Sequence, residues 1–148
     1  MYFDELDLND NVLDALYDMR FDTCTPVQEK CIPEILEGHD VLGVAQTGTG
    51  KTAAYLLPVL SKLDDGGYPK DAINCVIMSP TRELAQQIYD NFVLYGKKLP
   101  VYPTVIFGGV NQQGQVNALH RGADVVIACP GRLWDLMNQG FVHLDKVE

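Results

Sequence analysis

Four short runs of β-branched and other apolar residues recur along the chain, and each is followed by a segment with helical spacing. They are "DVLGVA" (residues 40–45), "AINCVIMS" (72–79), "VYPTVIF" (101–107) and "DVVIAC" (124–129). Runs this continuously apolar suit strands buried on both faces, and strands that alternate with helices form parallel sheets because a parallel pair needs a long crossover. The expected fold is α/β, a parallel sheet with helices on both faces and right-handed crossovers. Helices are expected to begin near Gly50, Arg82, Val110 and Gly131. In such sheets ligands gather at the carboxyl ends of the strands. The segments "AQTGTGKT", "PTREL", "FGGV" and "CPGR" each directly follow a predicted strand, which places all four at one edge.

Two helices are expected upstream. Val12, Leu13, Leu16 and Met19 recur at helical spacing over about residues 10–20. In "TCTPVQEKCIPEILEGHD", Thr25 suits an N-cap, Pro26 the first turn, Gln28 the far side of a capping box, and Gly38 the position past the end. Pro33 predicts a kink or an early break there. Near the end of the chain, Leu133, Trp134, Leu136 and Met137 are expected to form the buried face of the last helix, and Tyr55, Tyr89 and Tyr95 to pack against the sheet.

The 148 residues, with a hydrophobic fraction of 47%, suit one domain of ordinary size. No apolar run approaches the roughly 20 residues that cross a bilayer, and the opening "MYFDELDLND" is acidic where a secretory leader is basic and then apolar. A cytoplasmic protein is expected. The four cysteines lack zinc-ligand spacing and are expected to be reduced. The net charge of −9 is concentrated in residues 1–40, which hold eleven acids and two bases, whereas residues 41–148 hold nine of each. That balance argues against a nonspecific basic nucleic-acid binder only for the first 40 residues.

The segment "AQTGTGKT" carries the strongest chemical signal. Gly48 and Gly50 let the backbone curl so that successive N–H groups face a phosphate, and the following helix adds its positive end. Lys51 would supply a point charge to the β and γ phosphates, and Thr52 a hydroxyl to Mg2+. Ala45 departs from the strict pattern, which has glycine at that position. The expected cofactors are ATP and Mg2+.

With "RFDTCTPVQ" upstream and "PTRELAQQI", "GG" and "PGR" downstream, the chain resembles the DEAD-box ATP-dependent RNA helicases from Phe3 to its end. The resemblance implies the first, RecA-like domain of such a protein, with residues 1–39 as the Q-motif region and 40–148 as the P-loop α/β core. It implies a nucleotide site built from Phe21, Thr23, Gln28, Gln46, Thr47, Gly48, Thr49, Gly50, Lys51 and Thr52, with Lys51 catalytic. In that site Phe21 stacks on adenine and Gln28 reads its edge, which an amide can do by donating and accepting together. Local sequence alone leaves open that Gln28 only caps a helix and Phe21 only fills the core. The resemblance further implies RNA-backbone contacts by Pro80, Thr81, Arg82, Gly108, Gly109, Pro130, Gly131 and Arg132, a set that fixes position without reading bases.

Three departures stand out. Arg20 occupies a position that is usually glycine in the family, which bears on the local turn. Cys129 replaces threonine in the "PGR" segment, and its weak S–H donor predicts weaker phosphate anchoring. No Asp-Glu-Ala-Asp segment occurs, although the family uses those acids to hold magnesium and direct water. Neither Asp124 nor Asp135 matches it. The chain is therefore expected to be part of a longer protein, less stable than the complete domain and not hydrolytic by itself. The parent is expected to unwind short RNA duplexes with ATP hydrolysis. A nucleotide-binding module without catalysis and a P-loop motor acting on DNA are the alternatives.

Overall fold

The three downstream apolar runs form strands, and the first does not. In the computed structural model, which describes Met1–Glu148, β1 (Cys75–Met78), β2 (Pro103–Ile106) and β3 (Val125–Ala128) make one parallel sheet in the order β1-β3-β2. Val125 is level with Cys75 on one side and Pro103 on the other, and Ala128 with Met78 and Ile106. Every residue of β3 is buried, as its central place and unbroken apolar sequence require. Six helices accompany the strands: α1 (Asp10–Asp18), α2 (Pro26–Leu36), α3 (Lys51–Asp65), α4 (Arg82–Tyr95), α5 (Gln113–Arg121) and α6 (Pro130–Asn138). The parallel α/β class is as the sequence predicts.

The chain divides into two compact units. Residues 68–93 and 101–148 hold the sheet. Its core joins Ile73, Ile106, Val116, Val126, Ala128, Leu133, Leu136 and Val142 in one cluster. Asp124 ends the loop before β3 and accepts the Tyr102 N–H at 2.9 Å, so its carboxylate serves the strand's beginning.

Residues 1–67 and 94–100 form the other unit, in which α3 packs on α2 and α1. Leu56, Leu57 and Leu60 of α3 are fully buried, each worth about 1.5–3 kcal/mol relative to exposure. Asn9 ties α1 to α3. Its side chain caps α1 by accepting the Val12 N–H at 3.0 Å, its amide donates to Asp64 at 2.8 Å, and its own N–H reaches the Ser61 hydroxyl at 2.8 Å.

Several expectations are corrected. Residues 40–45 form no strand, and Leu42 and Val44 are 91% and 86% exposed. A strand exists only through pairing, and their unit contains just one isolated bridge, between Tyr2 and Thr23. Helix α2 runs through Pro33 to Leu36 without breaking; the proline forfeits a single N–H bond, and its carbonyl still accepts the Glu37 N–H at 3.1 Å. Helix α5 begins at Gln113 and not near Val110, since residues 108–112 form a loop over the end of β2. The Tyr95 ring is tilted against Phe21, with ring centres 6.5 Å apart. Trp134 is 65% exposed; Leu133 and Leu136 are buried and Met137 packs at the edge of the same cluster.

Candidate functional site

In the helical unit, α3 begins without a side-chain cap. Its N-cap is Gly50 with φ +84°, preceded by Gly48 at φ +83°, conformations that favour glycine strongly. The first N–H groups of a fifteen-residue helix thus have no side-chain cap, and the helix dipole makes that end favourable to an anion. Lys51 is exposed and its ammonium donates to the Ala45 carbonyl at 2.6 Å. The Thr49 hydroxyl donates to the Gln46 carbonyl at 2.6 Å, closing the loop, with Gln46 and Thr47 exposed and Thr52 half-buried. Nothing lies within 4 Å of a Cβ placed on Gly48. Open backbone, uncapped donors and a nearby ammonium fit a polyphosphate, and the Thr52 hydroxyl fits a hard cation accompanying it.

Gln28 is joined to this loop. Its amide oxygen accepts the Thr25 N–H at 2.9 Å, and its amide nitrogen donates to the Gly50 carbonyl at 3.2 Å. The capping role that local sequence allows is therefore real, but it spends only half of the amide: one N–H and one lone pair remain. The Thr25 hydroxyl oxygen beside it is buried without a hydrogen-bond partner. Phe21 is 45% exposed, so one part of its ring is supported by Tyr95 and another is open to a planar partner. Thr23 is exposed and held by its backbone bridge to Tyr2. Arg20 has φ +60°, a left-handed conformation that favours glycine over arginine.

In the sheet unit, three of the four predicted loops follow strands and share the carboxyl edge. Thr81 caps α4, its hydroxyl accepting the Leu84 N–H at 3.1 Å, and Pro80 before it is exposed. Arg82 lies over the Phe107 ring, 5.2 Å from its centre, in cation–π range. It also lines Gly109, where a Cβ would sit 3.5 Å from the guanidinium in a backbone with φ +80°. Arg132 donates to the Val110 carbonyl at 2.9 Å and to Gln115 at 3.3 Å. Two guanidinium groups thus bracket the exposed turn of Gly108 and Gly109. Pro130 and Gly131 are exposed at the start of α6.

Cys129, the N-cap of α6, makes no side-chain cap. Its N–H donates to Ile106 at 2.8 Å, and burial with the nearby Glu83 carboxylate pushes its thiol pKa up. Two contributors escaped the sequence reading. Phe107 is the platform for Arg82, and buried Gln115 orients Arg132 while donating to the Phe107 carbonyl at 2.9 Å. Phe107 was findable as an aromatic directly after a strand; Gln115 carries no local signal.

Comparison with known proteins bears on the family and the fold. The model of the family described as DEAD/DEAH box helicase matches residues 25–148. The "ATP-dependent RNA helicase CshA" of Limosilactobacillus reuteri is 40% identical over 148 residues, which is all of this chain and 29% of that protein. The "ATP-dependent rRNA helicase RRP3" of Saccharomyces cerevisiae (strain ATCC 204508 / S288c) is 43% identical over 133 residues, 90% of this chain and 26% of that one. The chain thus spans less than a third of the length of these curated relatives. The crystal structure of a DEAD box protein from Methanococcus jannaschii superposes with a TM-score of 0.90 at 34% identity, covering 100% of this chain and 40% of that chain. A structure titled as a hypothetical ATP-dependent RNA helicase from Sulfolobus tokodaii gives 0.83 at 35% identity, covering 95% and 40%. With the family model covering residues 25–148 and relatives aligned along nearly the whole chain, the protein belongs to the DEAD/DEAH box helicase family.

Proposed function

We propose that these residues are the ATP-holding and RNA-backbone-holding part of an ATP-dependent RNA helicase whose whole protein separates short duplexes with ATP hydrolysis. The observation that carries the reading is the hydrogen bond from the Gln28 amide to the Gly50 carbonyl. It couples a group able to read an adenine edge to the loop suited to its phosphates. In this reading Phe21 stacks on the base, Gln28 hydrogen-bonds its edge, and Thr23 lies beside them. The loop residues Gln46, Thr47, Gly48, Thr49 and Gly50 surround the phosphates. Lys51 leaves the Ala45 carbonyl to neutralise them, and Thr52 contributes a hydroxyl to Mg2+, which when bound neutralises charge that develops on the phosphates.

Pro80, Thr81, Arg82, Gly108, Gly109, Pro130, Gly131 and Arg132 hold RNA phosphate. Two fixed guanidinium groups around an open glycine turn support this, since they favour an anionic backbone and present no pattern for bases. The 148 residues contain no Asp-Glu-Ala-Asp segment. The share proposed for them is therefore binding, with hydrolysis proposed of the whole protein. A cytoplasmic location belongs to the same reading, and cell fractionation tests it.

The test is binding of a labelled single-stranded RNA followed by anisotropy across a salt series. Arg82→Ala and Arg132→Ala are expected to weaken binding and to flatten the salt dependence by about one counterion each. Unchanged affinity in both variants refutes the RNA part. Equal affinity for DNA of the same sequence favours a motor on DNA.

A further inference from the structure

We propose that Trp134 is a stacking platform for a nucleobase, set beside the phosphate-holding turn at the start of α6. The inference rests on the reading of Gly131 and Arg132 as RNA-phosphate contacts and adds a site for the base attached to that backbone. Its starting observation is the 65% exposure of the one tryptophan in the chain. The apolar stripe of α6 is complete without it: Leu133 and Leu136 are buried, and Met137 joins the same cluster. A large aromatic left outside a finished core has a ring face free for stacking.

Helix geometry fixes where the indole stands. Residues four and three apart share a face, so Trp134 lies above Pro130 and Gly131, both exposed. Side chains on a helix lean toward its N-terminus and cover the preceding turn, which here is the turn of Pro130 and Gly131. A Cβ on Gly131 would meet no atom within 4 Å, the indole included, so the turn next to Trp134 is open to a ligand. Arg132, two positions away, points elsewhere and is held by Val110 and Gln115, so it does not occupy the ring. Four residues of helix rise about 6 Å, comparable with the reach from a phosphate across the sugar to its base. Single strands are commonly held by charge along the backbone and by aromatic faces under the bases, and such stacking tolerates any sequence because every base has a π face.

The experiment uses this chain, whose single tryptophan reports on the site. A short oligoadenylate and a matched abasic ribose-phosphate oligomer are titrated while Trp134 emission is followed, with affinities from anisotropy of labelled oligomers. The expected result is quenching by oligoadenylate and none by the abasic oligomer. Trp134→Ala should weaken oligoadenylate about tenfold and leave the abasic oligomer unaffected, and Trp134→Phe should retain most of the affinity. Arg82→Ala should weaken both oligomers alike. If oligoadenylate binds with unchanged emission and Trp134→Ala binds it as tightly as the parent, stacking is overturned and the phosphate reading stands. If neither oligomer binds, both fall.

Discussion

Replacing Gly50 by alanine tests the joint between the phosphate loop and Gln28. Two separate penalties apply. At φ +84° the new methyl group meets the usual left-handed penalty, about 1–2 kcal/mol. It also runs into the Gln28 amide nitrogen and approaches the Thr25 hydroxyl oxygen to 3.2 Å. A glutamine head is flexible when free, but this one is 5% exposed and bonded at both ends. Moving it sacrifices two hydrogen bonds worth about 1 kcal/mol each. Gly50→Ala should therefore cost roughly 3–4 kcal/mol. Gly48→Ala is the control: its φ is +83° but no atom lies within 4 Å, so it should cost only about 1–2 kcal/mol. Urea denaturation of both variants, alone and combined with Gln28→Ala, separates the two contributions. Removing the Gln28 head should lessen the Gly50→Ala penalty and leave that of Gly48→Ala unchanged. Equal penalties at the two glycines, or a Gly50→Ala penalty indifferent to Gln28→Ala, would refute the reasoning.

Three further outcomes follow from local geometry. Arg20→Gly should raise stability by about 0.5–1 kcal/mol in urea denaturation, because the φ of +60° that arginine resists is neutral for glycine; a loss would contradict the left-handed turn. Cys129→Thr should supply the missing cap of α6 and raise stability by about 1 kcal/mol, visible as a melting midpoint higher by roughly 4 °C, whereas a fall would mean that the half-buried site rejects a hydroxyl. Burial pushes the Cys75 thiol up to about 11, so between about pH 9 and pH 11 the folded chain keeps a proton that the unfolded chain releases. That stabilisation is complete below about pH 9 and lost as pH rises through 11, so stability should fall by about 2 kcal/mol across the window and fall less in Cys75→Val. Burial also raises the Tyr95 pKa, which leaves part of the slope in the variant. A variant with an undiminished slope would exclude Cys75 as its source.

The parallel sheet was legible because β1 and β3 are apolar on both faces and β2 departs from that only at Thr104. Residues 40–45 carry the same pattern and remain unpaired, because a run of apolar residues records a capacity to pair and not the presence of a neighbour. Helix starts at Pro26, Lys51 and Pro130 could be read from Thr25, Gly50 and "PGR". Trp134 was misplaced because apolar character was counted without strict angular spacing: Leu133, Leu136 and Met137 stand three and four apart on one face, and Trp134 falls about 100° from Leu133. The glycine loops and both arginines were visible in sequence. That the loops after β1, β2 and β3 share one edge was legible too, but their side-chain contacts were not, since Arg82 meets Phe107 and Arg132 meets Gln115 only after the three strands align.

The central claim is a nucleotide grip in which Lys51 holds phosphate and Gln28 reads adenine. Calorimetric titration of the chain with ATP and GTP in the presence of Mg2+, repeated on Lys51→Ala, tests it most directly. Lys51 makes its one side-chain bond to Ala45 from an exposed position, so its loss should spare the fold. The account predicts tighter binding of ATP than of GTP and a large loss of ATP affinity in Lys51→Ala with an unchanged melting midpoint. Equal affinity for the two nucleotides, or ATP binding indifferent to Lys51→Ala, would contradict it.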